Sequence, residues 1–259
     1  ELWAHESTNG STWQATDIYS IPVAWNSFGA NPGHYGLAVM GTRLYFDAYD
    51  GSSGCELWAH ETTNGSTWQV ADINSGSFGS YPGAYAGLTV IGTRLYFDAD
   101  DSVSSWPSGE APQNSELWAH ETTNSSTWQV ADIFSGEGNS SQPGSHSEGA
   151  HSIRDPRVTV MGTRLYFTAN DGSGRELWAH ESTNGSTWQA TDILTGTWGG
   201  GGHGAKPGYS SGLTVMGTRL YFDANDDGIT SGGSGTELWA HETTNSSTWQ
   251  VADINSGAG

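Results

Sequence analysis

Hydrophobic and polar positions alternate in short runs along this chain, and the runs come in groups of four. In the last group, Leu213–Met216 and Arg219–Ala224 flank a Gly217-Thr218 turn. They are followed by Glu237–Glu242 and Ser247–Ile254. Each run is short, rich in β-branched and aromatic residues, and roughly period two, which predicts strands. Thr-Asn-Gly-Ser or Thr-Asn-Ser-Ser separates the third and fourth runs, and Asn-Gly is strong hairpin chemistry because both residues tolerate positive φ. No stretch carries a helical period.

The groups are copies of one unit. Glu-Leu-Trp-Ala-His-Glu begins at Glu1, Glu56, Glu116, Glu176 and Glu237, and Gly-Thr-Arg-Leu-Tyr-Phe begins at Gly41, Gly92, Gly162 and Gly217. The Glu-Leu-Trp copies recur with a period of 55 to 61 residues, which falls where propeller blades and solenoid units lie. A four-stranded antiparallel unit repeated about an axis is a propeller blade, so the predicted fold is an all-β β-propeller. The predicted blades are 37–73, 88–133, 158–193 and 213–254 within one repeat domain, 1–259. Segments 74–87, 100–115, 134–157, 194–212 and 226–236 carry the insertions; rich in Gly, Ser and Pro, they are expected to be surface loops.

Residues 1–18 contain the third and fourth runs without the first two, a half-blade hairpin. A two-stranded hairpin is marginal in water and its free edge invites pairing. Three arrangements follow: a missing half upstream that makes five blades, an incomplete fifth blade on the same ring, or docking on another copy. The last would be heterologous and would propagate as a filament, with Glu1, Leu2, Trp3 and Trp13 as assembly residues. The chain starts inside a repeat without Met or a signal segment, so it is expected to be processed or part of something longer.

Glu-Leu-Trp, a turn with Ser-Thr, then Ala-Asp-Ile, preceded by Leu-Tyr-Phe-Asp-Ala-Asn-Asp-Gly, resembles the bacterial ELWxxDGT repeat over essentially the whole chain. It departs by placing Ala-His-Glu-Ser/Thr-Thr where that family has a charged residue, Ser and Asp-Gly-Thr. Asn9-Gly-Ser-Thr-Trp13 is similar to the end of an Asp-box, with Thr8 in place of the Asp. The resemblance implies a propeller and says little about function, since propellers host many roles.

Charge narrows the partners. With 8 Lys plus Arg against 28 Asp plus Glu, the net charge of −20 disfavours nucleic acid and anionic membrane surfaces. No apolar run is long enough for membrane insertion as a helix. Cys55 is alone, so packing and sheet hydrogen bonds must hold the fold.

Repeated residues first suggest structure. Trp3, Trp58, Trp118, Trp178 and Trp239, with Trp13, Trp68, Trp128, Trp188 and Trp249, are expected to fill the space between blades rather than to stack sugars. Loop residues Trp25, Trp106 and Trp198 are the better sugar contacts. His5, His60, His120, His180 and His241 lack a second ligand type at metal spacing, and a carboxylate such as the adjacent Glu is their expected partner. Arg43, Arg94, Arg164 and Arg219 are expected to form blade-to-blade ion pairs. Asp47, Asp50, Asp98, Asp100, Asp171, Asp223 and Asp226 are calcium candidates, calcium being the one cofactor in view; none lies in a full calcium loop, and Asp/Asn-Gly is also ordinary turn chemistry. Asn9, Asn64, Asn124, Asn139, Asn184 and Asn245 are glycosylation acceptors by sequon.

Catalytic groups have different jobs and break repeat symmetry. Here the reactive residues are symmetric, and the one asymmetric polar cluster, His146, Glu148, His151 and Asp155, lies in a long loop. The expectation is a non-enzymatic extracellular or cell-surface structural protein that partners with copies of itself. The alternative is a carbohydrate- or calcium-binding adhesin.

Overall fold

The computed structural model describes residues 1–19, 29–102, 114–136, 139–145, 158–194, 204–226 and 235–254. Among them every regular element is a strand, and no helix is long and apolar enough to cross a membrane. The loop residues Trp25, Trp106 and Trp198 and the cluster His146, Glu148, His151 and Asp155 lie outside the described residues.

Strands β1 (Leu2–His5) and β2 (Thr12–Thr16) form a two-stranded hairpin. The first complete blade orders β3 (Leu37–Met40), β4 (Arg43–Tyr49), β5 (Cys55–Glu61) and β6 (Thr67–Ala71) in sequence. The second repeats this with β7 (Thr89–Ile91), β8 (Arg94–Asp100), β9 (Ser115–Glu121) and β10 (Ser126–Ala131). The third contains β11 (Val158–Met161), β12 (Arg164–Asn170), β13 (Arg175–Glu181) and β14 (Thr187–Gln189). The fourth contains β15 (Thr214–Met216), β16 (Arg219–Asn225), β17 (Thr236–Glu242) and β18 (Ser247–Ala252). All neighbours are antiparallel, and the central pair keeps one register in every blade, Tyr45↔Ala59 matching Tyr96↔Ala119, Tyr166↔Ala179 and Tyr221↔Ala240.

Period-two alternation gives each blade two apolar faces. Tyr166, Leu177, Ala179 and Trp188 on one face of the third blade pack against Leu220, Phe222, Ala224 and Trp239 of the fourth. The same residues, one unit earlier, fill the seams between the first and second and between the second and third blades. Paired tryptophans therefore close each seam, as the sequence suggested. The innermost strands meet as well, β3 against β7 and β11 against β15.

The loops between blades are more than surface connections. Asn31, Tyr81, Gln142 and Lys206 each precede a Pro-Gly and take positive φ, between 44° and 51°. The N–H of Tyr81, Gln142 and Lys206 donates to the carbonyl of Cys55, Ser115 and Arg175, the residue before each Glu-Leu-Trp. The N–H of the glycine two residues on, Gly83, Gly144 or Gly208, donates to the carbonyl of Asp98, Thr168 or Asp223 in the next blade. Ser80, Ala84, Ala86, Ser141 and Ser145 are buried. The expectation of surface loops for 74–87, 134–157 and 194–212 is thus corrected: part of each, Ala205 in the last, is a buried stitch between blades. Its turn is held by backbone groups, which is why the residue before Pro-Gly varies.

Candidate assembly surface

The Glu that opens Glu-Leu-Trp in each of the four complete blades, Glu56, Glu116, Glu176 or Glu237, is a buried clamp, whereas Glu1 is exposed. Glu56 accepts hydrogen bonds from the N–H of Ile73 and from the N–H and hydroxyl of Ser80. Glu116 does the same with Ile133 and Ser141. Glu176 accepts from the N–H of Ile193, Leu194 and Ala205 and from the Thr191 hydroxyl. Burial pushes the Glu56 carboxyl up to about 8, against these donors, which favour the ionised form. The sequence signal was present in the five-fold recurrence of this Glu, but its partners lie 17 and 24 residues downstream.

On the opposite edge of each blade Arg, Glu and Trp combine. Arg43, Arg94, Arg164 and Arg219 donate through Nε to Glu61, Glu121, Glu181 and Glu242 at 3.1–3.3 Å. Their guanidinium groups lie 5.4–5.7 Å from the ring centroids of Trp68, Trp128, Trp188 and Trp249. These ion pairs fall within one blade, which corrects the blade-to-blade expectation, because the fixed register sets each Arg opposite its Glu on the same face. What crosses the seam is a bond to backbone: Arg94 Nη1 donates to the Ser182 carbonyl and Arg164 Nη1 to the Thr243 carbonyl.

The histidines also differ from expectation. Nδ1 of His5, His60, His120, His180 and His241 lies 2.8–2.9 Å from the hydroxyl of Thr12, Thr67, Thr127, Thr187 and Thr248, facing strand residues on the neighbouring strand. The adjacent Glu points to the other face by alternation and is engaged elsewhere. Burial, followed by nearby Arg94, lowers His180 to about 4, which keeps its ring neutral.

Of the calcium candidates, Asp50, Asp100 and Asp171 accept bonds from serines two or three residues on, the geometry of Asx turns. Asp47 accepts the Tyr35 N–H, Asp98 the N–H groups of Tyr85 and Ala86, and Asp223 those of Ser210 and Ser211. Asp226 stands just past the end of β16 in the fourth blade and is half-buried. Among the described residues no three of His, Cys, Asp and Glu come together as metal ligands would.

The sequon residues Asn9, Asn64, Asn124, Asn184 and Asn245 are exposed at the hairpin tips. Their Oδ1 accepts the N–H of the sequon Ser, at 2.9–3.0 Å. Asn139 is different: it is half-buried, and its amide nitrogen donates to the Ser135 carbonyl at 2.9 Å.

The two ends of the blade array are the feature that breaks the symmetry. The β1–β2 hairpin lies beside the first blade as the outer half of a blade would, with Leu2, Ala4, Trp13 and Ala15 lining a shared cleft with Leu44 and His60. Tyr19 continues the match, its ring 5.3 Å from that of Tyr49 and packed on Gly51 as Phe134 packs on Gly172. Strand alternation thus divides the four proposed assembly residues. Leu2 and Trp13 turn toward the first blade, Trp13 staying 48% exposed, while Glu1 and Trp3, with His5, lie on the outward side, where Trp3 is 59% exposed and also borders the cleft. At the other end, Leu238 is 37% exposed, although its counterparts Leu57, Leu117 and Leu177 are at 0–1%. Met216 and Val251 beside it are 63% and 43% exposed.

No protein-family model and no curated protein matches the sequence. Solved structures share its architecture. Dipeptidyl peptidase 4 from Porphyromonas gingivalis aligns with a TM-score of 0.52 at 9% identity, over 97% of this chain and 29% of its own. A structure from an analysis of two prolyl endopeptidases gives 0.49 at 14%, over 96% and 32%. TolB from Acinetobacter baumannii gives 0.39 at 11%, over 82% and 41%. The chain spans less than half the length of each. At such identities the likeness shows fold alone and transfers no peptidase activity. With its four-stranded antiparallel blades, the chain belongs to the β-propeller fold class: four complete blades and a two-stranded half-blade.

Proposed function

We propose that this is a non-enzymatic, extracellular structural repeat protein that assembles head-to-tail with further copies into a fibre or surface array. N-linked glycans at the hairpin tips would cover its outer edge. One observation carries the reading: the seam used three times inside the chain ends in an exposed apolar face on the fourth blade and an exposed hairpin face at the start. Exposed apolar patches of this kind are characteristic of protein contacts. The repeated Glu, Arg, His and Trp residues support it in a second way, since within the complete blades they are taken up by packing and clamping contacts. The likeness to the ELWxxDGT repeat agrees with an array of duplicated units.

Negative-stain electron microscopy across a dilution series tests the proposal. Fibres or arrays with a repeat of one blade array are expected at high concentration and should dissolve on dilution. Single particles at every concentration and ionic strength would overturn it.

A further inference from the structure

Three seams inside the chain are made from one set of contacts. A tyrosine on the forward face of one blade meets a histidine on the next: Tyr45 with His120 at 5.6 Å, Tyr96 with His180 at 5.3 Å and Tyr166 with His241 at 6.0 Å between ring centroids. Beside two of these pairs, the arginine two residues before the tyrosine donates to a backbone carbonyl of the next blade. The acceptors are Ser182 and Thr243, each one residue beyond that blade's Glu. The leucine opposite, Leu57, Leu117 or Leu177, is sealed from solvent.

The fourth blade presents the same forward face in full, with Arg219, Tyr221, Leu238, Trp249 and Val251 on it. Among the described residues nothing covers it, and Leu238 and Val251 are 37% and 43% exposed. The hairpin presents the outer half of a receiving face. His5 and Trp3 are exposed on its outward side, and Ser7 stands one residue beyond Glu6, where Ser182 stands beyond Glu181.

Resting on the assembly proposed above, we infer that the contact between copies is a fourth version of this seam. Tyr221 of one molecule seats against His5 of the next, and Arg219 donates to that molecule's Ser7 carbonyl. The occupant is a second copy because its hairpin carries the receiving residues at the spacing the internal seams use, so the new contact continues an established one. Only half a receiving face is offered, so Met216 stays uncovered and the contact is weaker than an internal seam. Two chains of net charge −20 also repel, so added salt should strengthen the contact by screening.

The test uses the full chain with Cys55→Ser, carrying Ser7→Cys and Thr218→Cys together, treated with a short bis-maleimide; their counterparts Thr243 and Thr163 line one cleft at the third internal seam. The expected product is a ladder of cross-linked multimers that fades on dilution and grows with salt. Arg219→Gln in the otherwise native chain should raise the concentration needed for assembly about tenfold, as should His5→Asp. A cross-link confined to single chains at every dilution would mean that the two ends close on each other, and would overturn the inference. Fibres that persist without the ladder, and that tolerate both substitutions, would overturn this register while leaving assembly itself standing. Absence of any assembly would remove both.

Discussion

Ser80 holds Glu56 with two of its atoms: its N–H donates to Oε1 at 2.8 Å and its hydroxyl to Oε2 at 2.6 Å. Both residues are fully buried, and they sit 24 residues apart on either side of a seam between blades. Ser141 and Glu116 repeat the pair with bonds of 2.9 and 2.6 Å. In the third copy Ala205 takes the serine's place and gives only its N–H, while Thr191 supplies a hydroxyl from the opposite direction. The carboxylate is therefore a tether for the chain as it passes from one blade to the next.

Breaking the tether should be costly. Glu116→Gln points an amide N–H₂ at a site lined by donors and leaves at least one of them unsatisfied, which costs about 1–3 kcal/mol. Ser141→Ala removes one bond and should cost about 1 kcal/mol. Urea melts of the two variants at one pH should preserve that order.

The buried carboxyls set the pH dependence. Burial raises Glu56 to about 8 and both Asp47 and Asp98 to about 7, from ordinary values near 4. A raised carboxyl pKa favours the neutral form in the fold, so its contribution is complete below pH 4 and is lost as pH rises through 7 to 8. Glu61 runs the other way: hydrogen bonds from Thr42, then Thr63, hold it at about 2, so its contribution is lost as pH falls below about 4. The melting temperature should peak near about pH 4 to 5 and should decline from there toward pH 8.5. A profile that rises from pH 5 to pH 8.5 would contradict this.

One residue type at one repeat position separates seam from end. Leu117 is buried against the third blade, and Leu117→Ala should cost about 2–5 kcal/mol. Leu238, its counterpart on the fourth blade, is 37% exposed, and Leu238→Ala should cost well under half as much in dilute solution. Thermal melts at low protein concentration make the comparison.

The strands were readable because their pattern is local. Leu-Tyr-Phe and Leu-Trp-Ala alternate within six residues, and copying them four or five times made the blade plain. The tethers were not readable in that way. Glu56 looks like a strand-edge charge until Ser80 is brought over it, and the Pro-Gly stitches were hidden by varied side chains at Asn31, Tyr81, Gln142 and Lys206. The partners of His and Arg were misjudged for a related reason. The strand register decides whether His180 faces Thr187 or its neighbouring Glu181, and the sequence does not display register. At the candidate assembly surface the unpaired half-unit was visible, but which of its residues turn outward was fixed by how the hairpin sits on the first blade.

Two hairpin tips carry avoidable strain. Ser125 and Ser246 adopt φ of 58° and 57°, where Gly10, Gly65 and Gly185 sit in the equivalent turns at 72–74°. A left-handed conformation costs a residue with a Cβ about 1–2 kcal/mol, part of which glycine returns through its freer unfolded chain. Ser125→Gly and Ser246→Gly should therefore each stabilise the protein by about 0.5–1 kcal/mol. A double variant should add the two effects, because the tips belong to different blades.

Those same tips make the glycosylation pattern testable. Glycan addition needs an exposed asparagine whose amide nitrogen can leave the protein surface. Asn64, Asn124, Asn184 and Asn245 are exposed and use Oδ1 to accept bonds from both the N–H and the hydroxyl of the sequon serine. The amide nitrogen is not drawn into that turn. Asn139 is spent differently, its amide nitrogen held at 2.9 Å by the Ser135 carbonyl. Expressed through a glycosylating secretory pathway, the protein should carry glycans at the tip asparagines and none at Asn139. Peptide mapping after enzymatic glycan release, which converts each modified Asn to Asp, reads every site separately. Ser66→Ala should remove the glycan at Asn64 alone. Occupancy at Asn139 with the tips bare would overturn the assignment.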